Sequence, residues 1–467
     1  MRTANLLYLK EHYAPITSVS RLFSNITKHR EQKHFYLRCT FEDILMRHQT
    51  QCSREDYMSV LHVLPLTDSQ DCELRFSAFR NSTCAPFVIY ADYESNLKPI
   101  DKVTNATTYY QQHELCSAAA LLVSTISAIY NTCAIFTGKN ALSEFLNQLI
   151  NWETDCIEHL KRNAPMNKLT KQQQTDYNNA KQCYLCRRDF QVPENSKGGK
   201  FRDHDHFTGH FLGAAHNVCN LNRPVKYQIP AFFHNFRGYD FYLIVPEFPR
   251  HKDREIKVIG QNMKKYLQVQ WGKHIVFRDS LQFLTSLLDQ LVQSLAKSGD
   301  NKFHHLEQVV SLRYPNTNVD LLKRKGILFY DYIDSFERLT EKAFPARKLF
   351  TSRLSVVECS PKDYELTKQV WKEFQCLNLE EYIELYLLCD VCLLADVLKQ
   401  FRKTSLEEYQ LDVAYFVSAP QLAWSALLKY IDRPIYLMSD PEMYRMIQPS
   451  LRGGICHASV CYAKANN

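Results

Sequence analysis

FVIYADYES, residues 87–95, is an apolar run that stops on two acids, and its reading sets the fold. An unbroken apolar and aromatic stretch of this length reads as a buried strand. Side chains at i and i+2 of a strand share a face, so Asp92 and Glu94 project together from its end. Two neighbouring carboxylates repel unless a cation bridges them, and a metal site is one reading of the pair. A solvated strand end is the other, since about one D-x-E is expected by chance in a chain this long at average composition. The choice depends on what else the chain brings to this strand.

Composition narrows the frame around it. At roughly 150 residues per domain, 467 residues suggest about three domains. The chain is 45% hydrophobic and 23% charged, outside the disordered, collagen-like and coiled-coil classes. Lys+Arg 57 against Asp+Glu 50 gives +7, which permits a polyanionic partner without requiring one. The longest apolar stretch, SAAALLVSTISAIY at 117–130, is too short and too rich in Ser and Thr to span a bilayer, so no membrane role is expected. Lys10, Glu11 and Tyr13 interrupt any signal core at the start. The 16 cysteines therefore read mostly as buried, reduced thiols of an intracellular, non-secreted protein, and a monomer is expected.

Two further stretches carry acids in informative settings. IPAFFHNFRGYDFYLIV, from Ile229, is a second apolar strand running into a polar turn with Asn235, Tyr239 and Asp240 in an N-x3-Y-D pattern. Asn offers a donor and an acceptor, Tyr a stacking ring, Asp a ligand; an ordinary turn would use the same residues. LEEYIELYLLCDVCLLADVLKQFR, 379–402, has helical periodicity, with Asn378 as N-cap and Glu381 as its capping-box partner. Tyr386 and Asp390 lie four apart and share a face. Asp390 is bracketed by Leu387, Leu388, Val391, Leu393 and Leu394, where a carboxylate is costly unless paired or metal-bound.

The order D-x-E, N-x3-Y-D, Y-x3-D resembles the three exonuclease motifs of family B DNA polymerases. LRFSAFRNSTCAPFVIYADYES, IPAFFHNFRGYDFYLI, YLLCDVCLLADVLKQFR and LRGGICHASVCYAKANN resemble its protein-primed organellar, viral and Polinton-type transposon branch. The resemblance implies an α/β, ribonuclease H-like 3′→5′ exonuclease, with a mixed sheet and flanking helices. It makes Asp92, Glu94, Asp240 and Asp390 ligands of two magnesium or manganese ions, a suitable choice for carboxylates. Tyr386 would orient the attacking water, and Asn235 and Tyr239 would hold the single-stranded 3′ end. Arg452, Gly453 and Gly454 resemble the Y-x-G-G element that passes single-stranded DNA between sites, with Leu451 at the Tyr position. A terminal protein primer is a further implied partner. The palm motifs of the polymerase site occur nowhere in the 467 residues, so primer extension by this chain alone is not expected.

Between the first and second of these stretches, at residues 183–226, lies a compositional island. Cys183-x2-Cys186 and His216-x2-Cys219 are two short-spaced ligand pairs, which indicate a tetrahedral structural zinc. The island resembles the recombination endonuclease VII module, a ββα-metal nuclease. That resemblance would make His204 a general base, with Asp203 and Asn220 binding magnesium, although Leu212 replaces an expected Arg. A nicking endonuclease acting through this module, and an inactive DNA-binding transposon remnant, are the alternatives to the exonuclease. The expected division is 1–84 with a degenerate finger (Tyr36, Cys39, His48, Cys52), 85–182 and 227–405 for the exonuclease, 183–226 for the insertion, and 406–467 for the start of a polymerase domain. Cys389 and Cys392 have ligand spacing but read as core thiols, and SKGGK at 196–200 lacks P-loop spacing.

Overall fold

The computed structural model describes residues 6–9, 12–15, 72–104, 107–126, 131–161, 164–190, 199–221, 227–261, 265–299, 301–351, 358–431 and 433–447. Arg452, Gly453, Gly454 and the finger-like patch at 36–52 lie outside these residues. The chain divides into two units, 76–432 and a second made of 1–75 with 433–467. In the second, β1 (Leu6–Leu9) and β2 (His12–Pro15) form an antiparallel hairpin. The same unit contains β3 (Glu73–Leu74).

The larger unit is built on a seven-stranded mixed sheet. Its strands are β4 (Phe87–Thr104), β5 (Thr107–Ser124), β6 (Thr132–Thr137), β9 (Ile229–Phe233), β10 (Ile256–Gly260), β11 (Tyr266–Trp271) and β12 (Ile275–Asp279), in the order β10-β11-β12-β9-β4-β5-β6. β9 runs parallel to both β4 and β12, and the remaining pairs are antiparallel. A separate two-stranded sheet, β7 (Lys200–His204) with β8 (Phe211–His216), precedes a short helix Asn217–Leu221. In the smaller unit β13 (Ile435–Tyr436) pairs with β3.

FVIYADYES reads as continuously apolar because β4 is covered on both faces. Phe87, Ile89, Ala91 and Tyr93 enter one core, against the helix Ala141–Leu160. Val88 and Tyr90 enter the other, against the helix Leu379–Tyr409. Strict alternation then places Asp92 and Glu94 on the side of the long helix, as their spacing requires. Slipping the strand by one residue would send both acids into the opposite core. The apolar stretch from Ser117 lies on β5, whose Ala118, Ala119 and Ala120 are buried beside β4. Among the described residues no helix is long and apolar enough to cross a membrane.

The long helix is buried on nearly every side from Leu379 to Leu398. Asn378 caps it, accepting the Glu381 amide at 2.9 Å. The Glu381 carboxylate does not close the expected box on the cap residue; it accepts the Leu377 amide at 2.8 Å, one residue earlier. Further along, Asp396 accepts the His305 and Leu306 amides at 2.9 and 3.1 Å, satisfying the first turn of the helix His304–Arg313. Arg402 pairs with Asp412 at 2.7 Å, and Asp412 also accepts the Ala85 amide just ahead of β4. The acid-bearing helix is thereby fastened to the acid-bearing strand.

Candidate active site

Asp92, Glu94 and Asp390 converge, each offering a carboxylate oxygen within 4.8 Å of the others. Asp390 is 1% exposed, and its Oδ1 is buried with no hydrogen-bond partner among the described residues. Its Oδ2 is paired with the Lys325 ammonium. Burial, and then the Asp390 charge, push Asp92 up to about 7. Burial and the Asp92 charge hold Glu94 well above the ordinary carboxylate range. Three carboxylates share one lysine, so their ionised forms repel one another unless a cation joins them, and one Asp390 oxygen has no hydrogen-bond partner among the described residues. This donor set fits a hard divalent cation.

Asp240 opens the short helix Asp240–Ile244 and is buried, 3% exposed. Burial and the Asp92 charge raise its pKa well above the usual range, so it lies within the field of the site. Its carboxylate is not part of the close trio. The loop that delivers it starts at Asn235, which adopts φ 77°, a left-handed conformation that Asn tolerates. Gly238 is required beside it, because a Cβ there would come 2.3 Å from the Asn235 Oδ1. Asp279, fully buried at the end of β12, accepts the Asn235 amide at 2.9 Å and the Arg237 amide at 3.3 Å.

Tyr239 follows, its hydroxyl donating to Ser95 Oγ at 3.1 Å and lying 2.8 Å from His113 Nδ1. Burial pushes that hydroxyl up to about 12, so it keeps its proton at neutral pH. Tyr386 stands one helical turn before Asp390, with its hydroxyl 2.8 Å from that of Tyr330. Lys325 Nζ lies 4.9 Å from the centre of its ring. Gly326 allows the chain to pass, since a Cβ there would stand 2.9 Å from the same ring. Lys325, Tyr330 and Asp279 were not legible as site residues. The stretch around Lys325 has no periodicity, and only the solitary Gly326, in a chain with 12 glycines, hints at a close approach.

The second cluster joins Cys183, Cys186, His216 and Cys219, again with ligand atoms within 4.8 Å of one another. Arg187, at φ 57°, closes a tight turn after the first pair and donates its amide to the Cys183 carbonyl at 2.8 Å. His216 Nδ1 faces the sulfurs, 3.2 Å from Cys186 Sγ. Its Nε2–H donates to the Asp189 carbonyl at 3.0 Å, which leaves the Nδ1 lone pair directed at the sulfurs as a metal ligand. Hydrogen bonds from Cys186 and Cys219 hold the Cys183 thiol well below its ordinary range. Three sulfurs and one imidazole nitrogen, backed in this way, fit zinc.

The residues proposed for a nuclease within the insertion are differently placed. Asp203 is fully buried, and Tyr184 donates its hydroxyl to Oδ2 at 2.7 Å. The neighbouring Asp205, which the resemblance gives no role, holds a turn, accepting the Phe207 and Thr208 amides at 2.7 and 3.0 Å. His204 stacks on His206 with ring centres 4.7 Å apart. Asn220 lies half-buried on the short helix after β8, and Leu212 is exposed. Among the described residues, the acid trio and the Cys3His set are the groups of His, Cys, Asp and Glu close enough to hold a cation, and Asp203 belongs to neither. Cys389 and Cys392 are buried free thiols on either side of Asp390.

A family model described as DNA polymerase type B, organellar and viral, matches residues 223–466. The match contains Asn235, Tyr239, Asp240, Tyr386 and Asp390, and begins after both cysteine pairs and after Asp92 and Glu94. No curated protein matches the chain.

Proposed function

The chain belongs to the DNA polymerase type B, organellar and viral, family, and on that premise we propose that residues 85–405 act as a proofreading-type 3′→5′ exonuclease on single-stranded DNA. The family is one of DNA-directed DNA polymerases, so DNA is the partner. The observation that carries the exonuclease reading is the convergence of Asp92, Glu94 and Asp390 around a buried carboxylate oxygen with no hydrogen-bond partner among the described residues. A mixed sheet with helices packed on both faces is also what a ribonuclease H-like exonuclease calls for.

Asp92, Glu94, Asp240 and Asp390 would hold the divalent cations. When bound, magnesium or manganese supplies an acidified water and neutralises charge on the phosphate and the departing 3′ oxygen. The remaining work falls to the chain. Tyr386, held through Tyr330, orients the water with its hydroxyl. Asn235 and Tyr239, on the loop pinned by Asp279, hold the terminal nucleotide. Lys325 balances the charge of Asp390. In the insertion, Cys183, Cys186, His216 and Cys219 hold a structural zinc that fastens a short DNA-binding module. End-labelled linear and circular single-stranded DNA test the activity. An exonuclease releases mononucleotides from the labelled 3′ end and leaves the circle intact; cleavage of the circle at the same rate would reject the reading.

A further inference from the structure

The contacts of Tyr239 extend to a residue that no motif singles out. β4 and β5 are paired with a register break between Glu94 and Ser95: Glu94 faces Ser117, Ser95 faces Leu115, and Cys116 is the extra residue. A bulge of this kind reverses which residues of a strand point to each face. After it in the chain, Ala119, Leu121 and Val123 point to the long helix. Ahead of it, odd-numbered residues point the other way, as Leu115 does in packing against the opposite core. His113 is thereby turned to the face that also carries Tyr93 and Ser95 and that receives the loop after β9. Its ring meets that of Tyr239 edge-on, centres 5.5 Å apart and planes at 69°.

The hydrogen bonding is directional. The Tyr239 hydroxyl has a single proton and gives it to Ser95 Oγ, so its oxygen is left to accept from Nδ1–H of His113. One bond alone would leave the phenol free to swing; bonds from two strands fix it. We propose that His113 is a positioning residue for the 3′-terminal nucleotide, acting through the Tyr239 hydroxyl. The proposal rests on the exonuclease reading for the role of Tyr239, and it adds a residue from β5, an element that none of the three motifs touches. His113 is exposed at the strand's outer part, so its replacement leaves the core untouched.

The test is a double-variant cycle with two readouts. The first is KM and kcat for hydrolysis of a single-stranded oligonucleotide with magnesium. The second is the Kd for a fluorescent oligonucleotide without added magnesium or manganese, where hydrolysis lacks its cation. His113→Ala should raise KM and Kd about three- to tenfold, the size expected from one hydrogen bond, with kcat within about twofold. Tyr239→Phe should do the same, and the double variant should be no worse than the weaker single variant. His113→Asn, which keeps an amide donor near the place of Nδ1, should recover most of the binding. An unchanged Kd in His113→Ala, effects that multiply in the double variant, or no recovery by Asn would each overturn the proposal. Failure of the exonuclease reading looks different: hydrolysis would survive Asp390→Ala, while the binding cycle without added magnesium would still report on His113.

Discussion

The two candidate metal centres are built in opposite ways. The acid trio draws its members from a central strand and a long buried helix, far apart in sequence, and its charges resist assembly. The sheet and helices hold Asp92, Glu94 and Asp390 together against their repulsion, with Lys325 as partial relief. The Cys3His set comes from one short insertion whose buried cluster contains Cys183, Cys219 and Ala215, with Phe79 from outside it. The contrast is that the fold assembles the first cluster, whereas in the second the candidate ligands are themselves much of the core.

Single substitutions can break this contrast. The largest effect belongs to Asp390→Ala, which should lower hydrolysis of linear single-stranded DNA by several orders of magnitude, because cation-derived stabilisation is worth several kcal/mol. Its melting temperature should stay close to that of the parent, since one of three crowded carboxylates is gone. Full activity would remove the trio from the chemistry, and collapse of the fold would remove the contrast. Cys183→Ser should do the reverse. Elemental analysis should find one zinc per chain in the parent and less than about half an equivalent in the variant, with hydrolysis within a few-fold. A zinc content unaffected by the substitution would dismiss the four ligands.

A smaller effect sharpens the scaffold side. Burial pushes Asp396 up to about 7 from 3.8, against the pull of two backbone amides, with Lys399 and Glu307 the charged groups facing it. A carboxyl whose folded pKa is raised contributes stability that is complete below its unfolded pKa and lost as pH rises through the folded one. The parent should therefore lose up to about 1.4 kcal/mol per pH unit from this group between about pH 4 and 7. Asp396→Asn cannot titrate, so its melting temperature should gain on the parent between pH 5 and pH 8; a constant difference would show that burial does not govern this group. The smallest effect is expected from His204→Ala. With Asp203 enclosed beneath Tyr184, the Asp390→Ala protein should not nick circular DNA, and adding His204→Ala should change nothing. Nicking that disappears with His204 would place a second nuclease in the insertion.

Much of the frame was legible in the sequence because it rests on local periodicity. The apolar run before Asp92 reads as a strand, the spacing of Asp92 and Glu94 sets their common face, and Asn378 marks the start of the long helix. Ligand spacing alone brings the two cysteine pairs into view. What stayed hidden depends on contacts between distant segments. Lys325 reaches Asp390 from a stretch without regular structure, and Tyr330 meets Tyr386 from a single turn of 3-10 helix. The bulge at Cys116 leaves no trace in composition, yet it decides where His113 points. Asp240 was read from the sequence with the other three acids; it is buried and feels the Asp92 charge, while the closest grouping is Asp92, Glu94 and Asp390.

The long helix has one more consequence, for how its sequence can change. Asp390, Asp396 and Arg402 are spaced six residues apart. At about 100° per residue, six residues turn the helix by about one and two-thirds revolutions, so the three side chains leave the axis about 120° apart. Each engages a different neighbour: Lys325, the amides of His305 and Leu306, and Asp412. The helix is indexed like a shaft keyed at three angles. Apolar residues between the keys can be exchanged for others of similar volume. A single inserted or deleted residue between Asp390 and Arg402 would turn one end by about 100° relative to the other and free at least one key. Drift in this segment is therefore constrained in length far more than in letters.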